Sequence, residues 1–216
     1  MKQEASVELF HYWNRLRDGR PAPKRTEVEP AEIKSLLADT FILERDSRGE
    51  AVFRLAGTRL CAAYGRELKG FSFTSLWRMR DQQLLRRVLD TIFSENAVVV
   101  VSYDGISASN RSLMFELVIL PLDSSNESAR GLGLITACER AYWLGADPIV
   151  DANVASVQLF DPSREPLTLR TKPSIVIDDL SPHISSPADP NAGNITAGAA
   201  AKRVRHLLVL DGGRTE

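Results

Sequence analysis

Apolar residues at Leu9, Phe10, Trp13 and Leu16 recur at helical spacing and share one face. Ser6 and Gly19 supply start and stop signals, and Pro21 and Pro23 break the chain beyond. A short second helix is expected from Pro30 through Ile33, Leu36 and Leu37, with the proline in its first turn. Two extended runs follow, Thr40–Arg45 and Ala51–Ala56, joined by the turn-type residues Asp46-Ser47-Arg48-Gly49. Glycines at 57, 65 and 70 cut the next stretch into short pieces, each with bulky apolar residues. The clearest helix opens at Asp81, read as its cap. Leu84, Leu85, Val88, Leu89, Ile92 and Phe93 form its apolar stripe.

Three strand-like runs come next, 97–103, 113–120 and 131–142, expected to form an antiparallel meander. In the middle run Leu113, Phe115, Leu117 and Ile119 fall on one face. The opposite face, with Met114, Val118 and Leu120, is also largely apolar and needs a cover, for which the N-terminal helix is the candidate. Past Trp143 the texture changes. Residues 144–160 are mixed, and 161–193 are punctuated by Pro162, Pro166, Pro173, Pro182, Pro187 and Pro190. The resulting map has an N-terminal helical extension (1–38), a folded domain (39–145), a Pro/Ser-rich linker without fixed structure (146–198) and a short basic–apolar C-terminal segment (199–216). Ile175-Val176-Ile177 in the linker is read as a local docking patch.

Composition narrows the function classes. At 216 residues with 44% hydrophobic and 25% charged content, the chain reads as an ordinary soluble protein. A net charge of -1 gives no global pull toward nucleic acid. No apolar run reaches the ~20 residues of a membrane span, and the N-terminus lacks a signal-peptide core, so a cytoplasmic location is expected. Cys61 and Cys138 are read as reduced core thiols, and the three histidines are too scattered for a metal centre. There is no GxSxG, Walker loop or His–Glu metal spacing, so no catalytic residue is assigned. Gly131-Leu132-Gly133 is not followed by a helix start, so it does not read as a phosphate loop. Arg54 and Arg59, flanking Gly57-Thr58, are read as surface ion-pair residues rather than an anion clamp.

Two strands, short helices, a longer helix and three strands, over 40–143, resemble a PAS domain. The resemblance is closer to a short stand-alone bacterial PAS family, best known from alphaproteobacteria and long classed as uncharacterised. It rests on LFHYWNRLRDGRPAPKRTEVEP, FRLAGTRLCAAYGRELKGFSFTSLW, ELVILPL and ACERAYWLG. It implies an α+β fold, a five-stranded antiparallel sheet with helices on one face. It also implies sensing or regulation through a protein partner in a signalling pathway, without catalysis. Haem is disfavoured because 81–95 holds no histidine, and covalent flavin chemistry because Cys61 lies in RLCAA. Residues Leu60, Cys61, Tyr64, Phe73, Trp77, Leu85, Leu89 and Phe115 then line either a cavity for a small organic ligand or simply a packed core. Phe10, Trp13 and Leu16 either meet a partner or second copy, giving a homodimer, or fold back on their own sheet. The alternative function is a ligand-free dimerisation or adaptor module.

Overall fold

The computed structural model describes residues 1–123 and 128–160, Pro162, and the backbone of 202–204 and 207–209. Residues 1–176 form one compact unit and 177–216 a second. Of the second unit, the described part is an antiparallel hairpin of Lys202–Val204 with Leu207–Val209. The proline-rich stretch and the Ile175-Val176-Ile177 patch lie outside the described residues.

In the first unit helix α1 spans Glu4–Arg17, α2 Thr58–Ala63 and α3 Met79–Glu95. Strands are β1 Thr40–Arg45, β2 Ala51–Ala56, β3 Val98–Ser107, β4 Ser112–Leu122, β5 Arg130–Ala137 and β6 Ile149–Phe160. Among the described residues they make one antiparallel sheet ordered β2-β1-β5-β4-β3-β6. The expected fold is present with six strands in place of five. The extra strand, β6, falls at residues 149–160, where a linker was expected, and pairs along the free edge of β3. Two bulges, at Ser102/Tyr103 and Ile106/Ser107, shift its parity. Its inward residues are therefore Ile149, Ala152, Val154 and Val157, with no simple alternation to read.

Both faces of the sheet are covered. On one, Phe41, Leu43, Val99, Val101, Tyr103, Phe115, Leu117 and Ile119 pack against α2, α3 and the turn Phe73–Leu76. The stripe of α3 supplies Leu85, Val88, Leu89 and Ile92. On the other, Ile42, Val98, Val100, Val118, Leu120, Leu132 and Leu134 meet Leu9, Phe10, Tyr12 and Trp13 of α1. The second apolar face of β4 thus receives the cover its sequence demands. Each of those four α1 side chains is at most 5% exposed. At about 1.5–3 kcal/mol each, their gross burial is comparable to the ~5–15 kcal/mol net stability of a whole domain. In this single chain α1 is docked on its own sheet.

Polar contacts fix its position. The Trp13 indole Nε1 donates to the Pro121 carbonyl at 2.7 Å. The carboxylate of Glu116, only 2% exposed, accepts the backbone N–H groups of Lys2 (2.7 Å) and Gln3 (3.1 Å). A sheet residue therefore caps the helix, placing negative charge at its positive end. At the other end Arg17, 8% exposed, stacks on Trp13 and donates to the carbonyls of Arg20 and Pro162, both at 2.9 Å. Two expected caps are corrected. Ser6 lies inside α1, fully buried. Asp81 is the third residue of α3, and its carboxylate accepts the Val154 backbone N–H at 3.0 Å, tying β6 to the helix.

Candidate functional site

Among the described residues a cleft of about 660 Å³ opens at the end of the sheet, between α2 and the turn after β5. Gly57 sets its first wall. A Cβ there would lie 2.3 Å from the carbonyl oxygens of Leu37 and Ala38, so only glycine lets α2 settle onto the turn before β1. That approach brings Arg59 into an ion pair with Asp39. The second wall is the segment 138–145, which turns through Gly145 at φ 91°. Asp147 staples it to the β3–β4 hairpin by accepting the Ser107 hydroxyl at 2.7 Å and the Ser109 N–H at 3.2 Å. The Ser107 bond is the main reason that the Asp147 carboxyl is held below its usual range, with Arg111 at 3.7 Å adding to it.

Depth comes from missing volume. Ala62, Ala63, Ala137, Ala141 and Gly145 line the walls, while Leu60, Ile135, Phe115 and Leu144 give an apolar floor. The rim is polar, with Gln3, Asp39, Arg59, Cys138, Glu139 and Arg140. Burial pushes the Asp39 carboxyl up despite the opposing pull of Arg59. Partial desolvation by its neighbours raises the thiol of Cys138, although its side chain stays exposed, and the Glu116 charge adds to the effect.

Between sheet and helices the interior is filled. Ring centroids follow one another from Phe41 to Phe53 (5.5 Å), Phe73 (5.8 Å), Trp77 (5.6 Å), Tyr103 (4.7 Å) and Phe115 (5.2 Å). The hydroxyls of Tyr64 and Tyr103 share a hydrogen bond of 3.1 Å inside this stack. Burial raises both phenols, Tyr64 to about 12 and Tyr103 well above 10.0. The Trp77 Nε1–H is buried without an acceptor among the described residues. The rings here are in mutual contact, and His11 lies on the exposed side of α1.

The eight residues expected around a cavity separate accordingly. Leu60, Tyr64 and Phe115 line the cleft. Phe73, Trp77, Leu85 and Leu89 are at most 4% exposed and border neither this cleft nor a smaller one of about 200 Å³ by the β1–β2 hairpin. Cys61 is half-buried on the flank of α2, 3.6 Å from Glu67, and Cys138 is exposed. Of the two thiols expected in the core, Cys61 packs only partly against it and Cys138, just past the end of β5, lies at the surface. Phe10 and Trp13 are buried against their own sheet, and Leu16 packs partly against the same cluster. Arg54 pairs with Glu44 at 3.6 Å. Sequence reading did not find Arg140, Glu139 or the alanine walls, since a space made by small side chains leaves no motif. Among the described residues no group of three or more His, Cys, Asp or Glu side chains is placed to hold a metal, and no helix is long and apolar enough to cross a membrane.

Comparison with known proteins adds a family. The sequence profile described as PAS domain matches residues 1–136, more than half of the chain. No curated protein sequence matches. Among solved structures, a LOV protein of Rhodobacter sphaeroides is similar over 53% of this chain and 71% of its own, at 13% identity and a TM-score of 0.40. A light-oxygen-voltage domain studied with a flavin analogue is similar over 52% and 87%, at 15% identity and 0.40. A PAS domain from Colwellia psychrerythraea is similar over 50% and 97%, at 13% identity and 0.36.

Proposed function

The chain belongs to the PAS domain family, and on that premise we propose that it is a cytoplasmic regulatory module without catalysis of its own. It binds a protein partner in a signalling pathway, and a small molecule in the sheet-end cleft gates that contact. One observation carries this reading: the interior is closed by stacked rings, while the cleft stands open against Phe115, the last ring of that stack, and Tyr64, whose hydroxyl bonds to Tyr103. A ligand there presses on residues that reach the core through Tyr103, and it shifts the balance of conformations by its differential affinity for them. Gln3, beside the Glu116 cap, also lines the cleft, so occupancy bears on the start of α1.

The test is native mass spectrometry of the full chain purified from its host, with partner capture from the same host. A retained small mass is expected, lost in Ala137→Trp, which fills the cleft. Absence of any retained mass, together with partner capture unchanged by Ala137→Trp, rejects the gating. The closed interior favours a second reading, a ligand-free dimerisation or adaptor module, to which that negative result would point.

A further inference from the structure

The charges at the cleft rim are balanced, and this constrains what the cleft accepts. Asp39 and Arg59 neutralise one another. Glu139 and Arg140, adjacent and both exposed, have no ion pair among the described residues, and both line the cleft. A monoanion attracted to Arg140 meets Glu139 beside it, and a monocation meets the reverse. A ligand carrying both charges has a partner for each. Below the rim the floor is apolar, and the volume of about 660 Å³ lies within the range of ordinary small-molecule sites.

We propose that the cleft takes a small zwitterion with an apolar body, the class that includes apolar amino acids and their short peptides. Its carboxylate lies toward Arg140, its ammonium toward Glu139, and its body on Leu60, Ile135 and Leu144. This rests on the reading of the cleft as the ligand site. Arginine suits the carboxylate end, because its planar fork engages both oxygens. Apolar floor supplies affinity and paired rim charges supply selection, since exposed ion pairs add little energy but discriminate by sign.

Four probes with one apolar body separate the two ideas: the dipeptide Leu-Phe, its N-acetyl derivative, its methyl ester, and the N-acetyl methyl ester. They carry both charges, the negative alone, the positive alone, and neither. Calorimetric titration of the full chain is expected to rank the free dipeptide first, by about fivefold over each singly charged form, the upper end for an exposed ion pair. Arg140→Gln should weaken only the probes with a free carboxylate, and Glu139→Gln only those with a free amine. Both residues are exposed, and an unchanged melting temperature verifies folding. Equal affinity for all four probes, or a singly charged form binding tightest, overturns the zwitterion and leaves the cleft as a site. If no probe binds, or if binding survives Ala137→Trp, the cleft itself is rejected.

Discussion

Replacing Gly133 by alanine should destabilise the domain, and the structure sets the size of the effect. Gly133 sits mid-strand in β5, opposite Phe41 on one side and Ile119 on the other. The Phe41 ring lies across it, so an added Cβ would stand 2.1, 2.4 and 2.7 Å from Cζ, Cε2 and Cε1. Phe41 is fully buried and touches Phe53 and Phe73, so its ring can yield only by disturbing the aromatic stack. Overpacking of this kind costs about 1–3 kcal/mol. The lower chain entropy of alanine returns roughly 0.5–1 kcal/mol. The expected net loss is about 1 kcal/mol, or roughly 2–4 °C in Tm for a unit of this size. Urea unfolding followed by tryptophan fluorescence measures it. A cycle with Phe41→Leu sharpens the test: leucine has no atoms at Cε or Cζ, so Gly133→Ala should cost under about 0.5 kcal/mol in that background. Equal losses in both backgrounds, or no loss in the native one, would refute the steric account.

Two other outcomes follow from buried polar groups. Glu116→Ala should remove about 2 kcal/mol by deleting charge-assisted bonds to the backbone of Lys2 and Gln3, with hydrogen exchange rising first over residues 3–9; unchanged exchange there would show that the cap does not hold α1. Tyr64 should ionise at about pH 12 and Tyr103 well above pH 10.0, seen as phenolate absorbance. Because the folded state keeps both protons that the unfolded state gives up near pH 10, stability should be steady below pH 10 and fall from 10 toward 12. A Tyr64 midpoint at 10 would contradict its burial.

The periodic parts of the chain were readable in advance because one face of each buries a regular row. The stripe of α3 and the two apolar faces of β4 led to the two-sided sheet. β6 escaped because its bulges move Ile149, Ala152, Val154 and Val157 out of alternation. Whether α1 meets its own sheet or a partner depends on long-range contacts, such as Trp13 to Pro121, that no local pattern encodes. Of the expected cavity residues, Phe73, Trp77, Leu85 and Leu89 mark where the core is full. The cleft lies where Ala62, Ala137 and Ala141 leave the walls thin, and its rim charges, Glu139 and Arg140, carry no spacing signal.

Arg17 has a mechanical consequence. It closes the last turn of α1 and also holds the carbonyl of Pro162, two residues past the end of β6. One guanidinium therefore fastens the end of α1 to the residue just past β6, though 145 positions separate the two partners in the chain. A displacement of Pro162 reaches the N-terminal helix through that clamp as well as through β6 and the sheet. A lifting of α1 likewise frees the end of the last strand. The helix end and the strand end act as one joint.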